Sequence, residues 1–132
     1  MLRATYLILG LLSLVSAGWM ILSPVSWYTS FPGEVSHTGP LNIHFVRDLG
    51  LALAIVSSVL LWCARYPGRC RVAHIIVTAY FAGHAVIHLV GILNGDLPAE
   101  HWMDDALGVF IPALVLVVLA IPMVWRRMTP SR

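Results

Sequence analysis

The stretch "HFVRDLGLALAIVSSVLLWCA", residues 44–64, carries an imidazole, a guanidinium and a carboxylate within its first five residues, and then no charge for sixteen positions. A helix rises about 1.5 Å per residue, so about 20 such residues match the roughly 30 Å hydrocarbon core of a bilayer. The run is therefore read as a spanning helix whose polar end lies near one membrane face. Working outward, residues 4–23, 72–93 and 105–125 are apolar runs of similar length. Lipid offers no partner to backbone N–H and C=O groups, so such spans fold as helices. The expected fold is all-α, a four-transmembrane-helix bundle forming a single integral membrane domain over residues 1–132, with almost no chain left for a soluble domain.

Composition points the same way. Hydrophobic residues make up 59% of the chain and charged residues 11%, with a mean hydropathy of +0.85, against about 25% charged in a soluble domain. All eight basic residues are Arg, and their placement carries more than the net charge of +2. Arg3, then Arg65, Arg69 and Arg71, then Arg126, Arg127 and Arg132 fall on one side. The positive-inside rule makes that side, and both termini, cytoplasmic. The acidic residues lie on or near the other side. No basic cluster is interleaved with aromatics on a soluble surface, so nucleic acid is not an expected partner, and the lipid bilayer is. The first run follows Arg3 and ends near small residues, as a signal peptide does, but it is longer than a usual signal core and reads as a retained span.

Three polar pieces are out of place in such a chain. In the 44–64 run, His44, Arg47 and Asp48 share a helix face, and charged groups within a span turn to the bundle interior or to water. In "GHAVIHLVG", residues 83–91, His84 and His88 are one turn apart, which is metal-ligand spacing. There is no Glu between them to act as a zincin base. In "HWMDDALG", residues 101–108, Asp104 suits a helix cap and Asp105 lies a residue deeper, able to face the bundle. Helical rise places His88 about 7 Å and Asp48 about 6 Å below the outer boundary, in one layer. The expected site is an outward-facing pocket with His84, His88, His44, Asp48 and Asp105 as metal ligands. Arg47 and Asp104 would orient those ligands or bind an anion.

Other features read as structural. Gly10, Ser13 and Ala17 form a small-residue stripe for close helix packing. His74 is expected to hydrogen-bond a neighbouring helix, and Cys63 and Cys70 to be packing residues or inert thiols. The loop over residues 23–42 is long, with Trp27, Tyr28 and Phe31 suited to the headgroup level, and His37 within it reads as solvated. Pro112 and Pro122 should each kink the last helix.

The pattern H-x-V-R-D-x-G at residues 44–50, with H-x-x-x-H-L at residues 84–89, resembles a group of small four-helix bacterial membrane proteins of uncharacterised activity. The layout is more distantly similar to the DoxX-like class. That resemblance implies a compact bundle in a bacterial cytoplasmic membrane, sometimes associated with membrane redox systems, and implies no role for any single residue.

The favoured function is a metal-binding membrane protein, with Zn, Fe or Cu as the ion, since imidazole with carboxylate suits these better than Cu(I). If it is catalytic, it would be a metal-dependent membrane oxidoreductase or a subunit of one. Two alternatives stand beside this: an accessory subunit whose polar cluster is structural, docking on other membrane subunits or a second copy, and a haem b electron-transfer subunit. Haem fits less well, because His44 and His88 differ in depth and two histidines four apart cannot ligate one haem iron from opposite sides.

Overall fold

A computed structural model describes residues 2–128; Arg132, counted above on the basic side, lies outside them. The chain forms α1 (Leu2–Leu22), a short α2 (Pro24–Ser30), a 3-10 turn (Val35–Thr38), α3 (Ile43–Arg65), α4 (Arg71–Asn94), a short α5 (His101–Asp104), a π turn (Ala106–Phe110), α6 (Ile111–Ala120) and α7 (Pro122–Met128). Among the described residues there is no strand. By length and hydropathy α1, α3 and α4 are membrane spans, which makes this a multi-pass membrane protein in contact with lipid.

The expected fourth span is only partly present. Residues 106–120 and 122–128 meet at 84°, so a fourth crossing exists only if the bent pair is taken as one span. The cause is Pro122, whose ring disfavours the helical conformation for the residue before it. Ile121 accordingly leaves the helix at φ −61°, ψ 126°. Breaking the helix strands the last carbonyls of α6, and Arg71 answers by donating from Nη2 to Ala120 O at 2.7 Å. Its guanidinium also lies 4.9 Å from the centre of the Trp125 ring, a cation–π contact that holds α7 across the end of α4. Pro122→Ala should let α6 run on into α7. Spin labels at the exposed positions Leu114 and Met123 are expected to move apart, toward the roughly 13 Å of a straight nine-residue helix. An unchanged separation would mean that the Arg71 contacts, and not the proline, set the bend.

α1 and α3 pack along most of their length, α4 packs on α6, and α3 against α4 joins the two pairs. The first pair approaches closely because a glycine on each helix leaves room for the larger side chains of the other, small residues being a usual basis of close helix approach in lipid. A Cβ on Gly50 would lie 2.9 Å from Met20 Cβ and 3.2 Å from Ala17 O, and one on Gly10 would lie 2.8 Å from Leu61 Cδ2. The buried core near the basic end gathers Tyr6, Leu60, Cys63, Val77, Phe81 and Leu116. Large apolar side chains left exposed, such as Leu12, Val15, Ile76, Ile87 and Leu114, form the lipid-facing surface.

The loop over residues 23–42 is built rather than extended. Pro24 starts α2, as suits a residue with no N–H to lose in a first helical turn. The Tyr28 hydroxyl then donates to Gly39 O at 2.6 Å, folding the 3-10 turn back over the bundle end.

Candidate functional site

At the end of the bundle away from the arginine-rich loop, histidines line up about one carboxylate. α4 supplies His84 and His88, a turn apart, with their ring centres 4.6 Å apart in an edge-to-face arrangement. α5 supplies His101, and Asp105 follows at its C-terminal end. Asp105 O accepts from both Val109 N at 2.8 Å and Phe110 N at 3.1 Å, which widens the next turn into the π turn. Pro112, lacking an N–H, follows at the start of α6. Such widened turns occur preferentially at functional sites; here the turn separates the Asp105 backbone from the regular geometry of α6.

The Asp105 side chain is 3% exposed, and its Oδ2 lies 2.7 Å from His88 Nδ1 and 3.3 Å from His101 Nδ1. His101 is fully buried, and its Nε2 lies 3.2 Å from Nδ1 of His37, an exposed residue of the 3-10 turn. A carboxylate only accepts, so both Nδ1 atoms facing it carry hydrogen, and a neutral imidazole then leaves its Nε2 bare. His101 Nε2 therefore accepts from His37 Nδ1–H, and His88 Nε2 is left with a lone pair. The result is one chain, His37–His101–Asp105–His88, with His84 in edge-to-face contact with His88 at its inner end. His88 also lines a groove of 480 Å³ with Val86, Val90, Asp96 and Leu97.

Of the expected ligands, the structure brings His84, His88 and Asp105 together. It does not bring His44 or Asp48 to them. These two pair with each other, Nε2 to Oδ2 at 3.4 Å, with side chains 89% and 63% exposed. The physical reason is the inward face of α3, set by Val46 and Gly50; at 100° per residue His44 and Asp48 point roughly 160° away from Val46. Arg47 neither orients a ligand nor meets the cluster. Its Nε donates to Ile21 O at 3.2 Å, capping the C-terminus of α1, where a cation is favoured by the helix dipole. Asp104 is half-buried and makes no side-chain hydrogen bond among the described residues. Among those residues, moreover, no group of three or more His, Cys, Asp or Glu is arranged to hold a metal ion.

Two members of the chain escaped the sequence reading. His101 and Asp105 show the i, i+4 spacing of a helical pair, a signal available without structure. His37 gave no such signal, because its contact crosses 64 positions through the fold of the loop.

The opposite end holds a second polar group. The Tyr6 hydroxyl lies 2.9 Å from His74 Nδ1, and Thr78 Oγ1 lies 3.4 Å from His74 Nε2. His74 thus makes the interhelical hydrogen bond expected of it. Cys63 and Cys70 are free, fully buried thiols packed in the same core. A hydrogen bond with Cys63 draws the Cys70 thiol down to about 7, against the upward push of burial.

An all-α chain with three to four lipid-crossing helices and a buried His–Asp chain at one end is a small multi-pass membrane protein. No protein-family model matches it, and neither the curated proteins nor the solved structures show a significant match.

Proposed function

We propose that this membrane protein handles protons at its non-basic end, through the chain His37, His101, Asp105, His88 and His84. One observation carries the reading: a single buried carboxylate oxygen is shared by two imidazoles, and one of these meets a third, exposed imidazole through its other nitrogen. Histidine is the side chain whose ordinary titration range spans physiological pH, and ionisable groups inside a membrane protein are functional by default. A proton taken up at exposed His37 passes through His101 to Asp105, and His88, itself a donor to that carboxylate, accepts it onward only after its ring turns to present the bare Nε2. By the positive-inside rule this end faces outward and both termini are cytoplasmic. The His44–Asp48 pair on the outer face of α3 would be costly in hydrocarbon. It suits the headgroup layer or a contact with another membrane subunit, as in a redox assembly.

A second reading, a Zn, Fe or Cu ion held by His84 and His88, draws on the close approach of their rings. Against it, Asp105 Oδ2 is already shared by two ring nitrogens.

The test is nitrogen NMR of histidine-labelled protein in nanodiscs, with elemental analysis of the same sample. The relay predicts that His88 and His101 are both Nδ1–H tautomers with strongly deshielded protons, and that both signals collapse in Asp105→Ala. Metal near one equivalent, lost in the His84→Ala, His88→Ala double variant, would overturn the relay in favour of the ion.

A further inference from the structure

α4 carries polar groups beyond the relay. His74, Thr78, Phe81, His84 and His88 follow at spacings of four, three, three and four, which places them on one face of the helix. That face turns inward: His74, Thr78 and Phe81 are buried, and His84 and His88 are half-buried. The relay occupies one end of this stripe. The other end is the second hydrogen-bonded group, in which His74 uses both ring nitrogens, toward Tyr6 and toward Thr78. Its partner Tyr6 sits in the first turns of α1, and His74 in the first turn of α4, so this group lies close to the arginine-rich end.

We infer that the two groups are halves of one transmembrane proton path along α4, held closed by Phe81. The inference rests on the relay reading of the His–Asp chain and extends it across the bilayer. Each transfer breaks one N–H or O–H bond and forms the next, so the path needs neither oxidant nor reductant. Between Thr78 and His84 lie six residues of rise, about 9 Å, a gap that a few hydrogen-bonded waters would bridge. Those waters are excluded because the layer is filled by Phe81, 5% exposed, with Ala113 of the same apolar core. A site holds water only when it is both roomy and polar, and this layer is neither. The native protein in this conformation is therefore tight to protons, and exchanging Phe81 for a small hydroxyl residue supplies the missing room and partners.

The experiment is proton flux into liposomes loaded with pyranine, driven by a potassium diffusion potential, for the full chain and for Phe81→Ser. Ala113→Ser, which brings a hydroxyl to the same core from α6, is the second variant. Wild type should match empty liposomes. At least one serine variant should raise flux tenfold or more, and adding His88→Ala or His74→Ala should bring it back to baseline. Flux at baseline in both folded serine variants would overturn the path, as would a leak that survives both histidine replacements. The histidine NMR signals, recorded on the same proteins, separate the two claims. Intact Nδ1–H signals without flux defeat the path and leave the relay standing, whereas absent signals in wild type defeat the relay and the path built on it.

Discussion

Asp105→Leu is expected to destabilise the protein by on the order of 3 kcal/mol, the combined penalty for leaving two buried or half-buried imidazole N–H donors without an acceptor. Leucine has the same branched arrangement of side-chain heavy atoms and is somewhat larger, so the loss is not that of a cavity. Its origin is the stranded donors. His101 is fully buried, and its Nδ1–H would face a methyl group with no water to take over, which costs about 1–3 kcal/mol. His88 is 17% exposed and can turn part of its ring toward the groove, so its share is smaller. A double-mutant cycle checks the assignment. Removing both partners with His101→Leu, Asp105→Leu should cost less than the two single changes added together, because no buried imidazole is then left unpaired. The quantity to measure is reversible unfolding in mixed micelles. Strict additivity would mean that the 3.3 Å contact between His101 and Asp105 contributes nothing, and that the chain from His37 is broken at that point.

The same residues show how far the sequence can be read. Apolar runs with charges at their ends located α1, α3 and α4 to within a few residues, because span length is fixed by bilayer thickness. The last helix was harder: a proline announces a break but not its size, and the 84° turn at Pro122 depends on what α7 meets afterwards, here Arg71 and the core beside His74. Helix periodicity correctly put His44 and Asp48 on one face, and His84 and His88 on another. It did not say which face turns inward. For α3 that choice is made by Gly50, where only hydrogen fits against Met20 and Ala17, and a glycine four residues after Val46 was the available clue. Depth arithmetic along the helices put His88 in one layer with Asp48, a carboxylate that turns away with His44, whereas Asp105, placed one residue deeper than Asp104, is the one His88 meets. His37 was beyond that arithmetic, since its position follows from the Tyr28 bond to Gly39 and from the fold of α2 and the 3-10 turn.

Gly50→Leu should be the most disruptive single change outside the histidine chain, costing about 3 kcal/mol, the upper end of the usual range for overpacking. The atoms in the way are not the free ends of flexible side chains. They are Met20 Cβ at 2.9 Å and the Ala17 carbonyl at 3.2 Å, both fixed to the α1 backbone, so the two helices must separate. Separation also strains the Arg47 cap on Ile21 O, one turn away and dependent on the same approach. Gly83→Leu is the matched control. A Cβ at Gly83, an exposed position, would meet nothing within 4 Å, and leucine is the better helix former by several tenths of a kcal/mol, so this variant should be neutral or slightly stabilised. Opposite signs from the same substitution on α3 and α4 would locate the tight helix contact at the α1–α3 seam. Loss of stability in both would place it elsewhere. Because the relay is built from α4, α5, the turn after Asp105 and the His37 loop, the folded fraction of Gly50→Leu should keep the paired His88 and His101 signals while its α1–α3 packing is loosened. Their disappearance in this variant would mean that the seam positions the site as well as supporting the bundle.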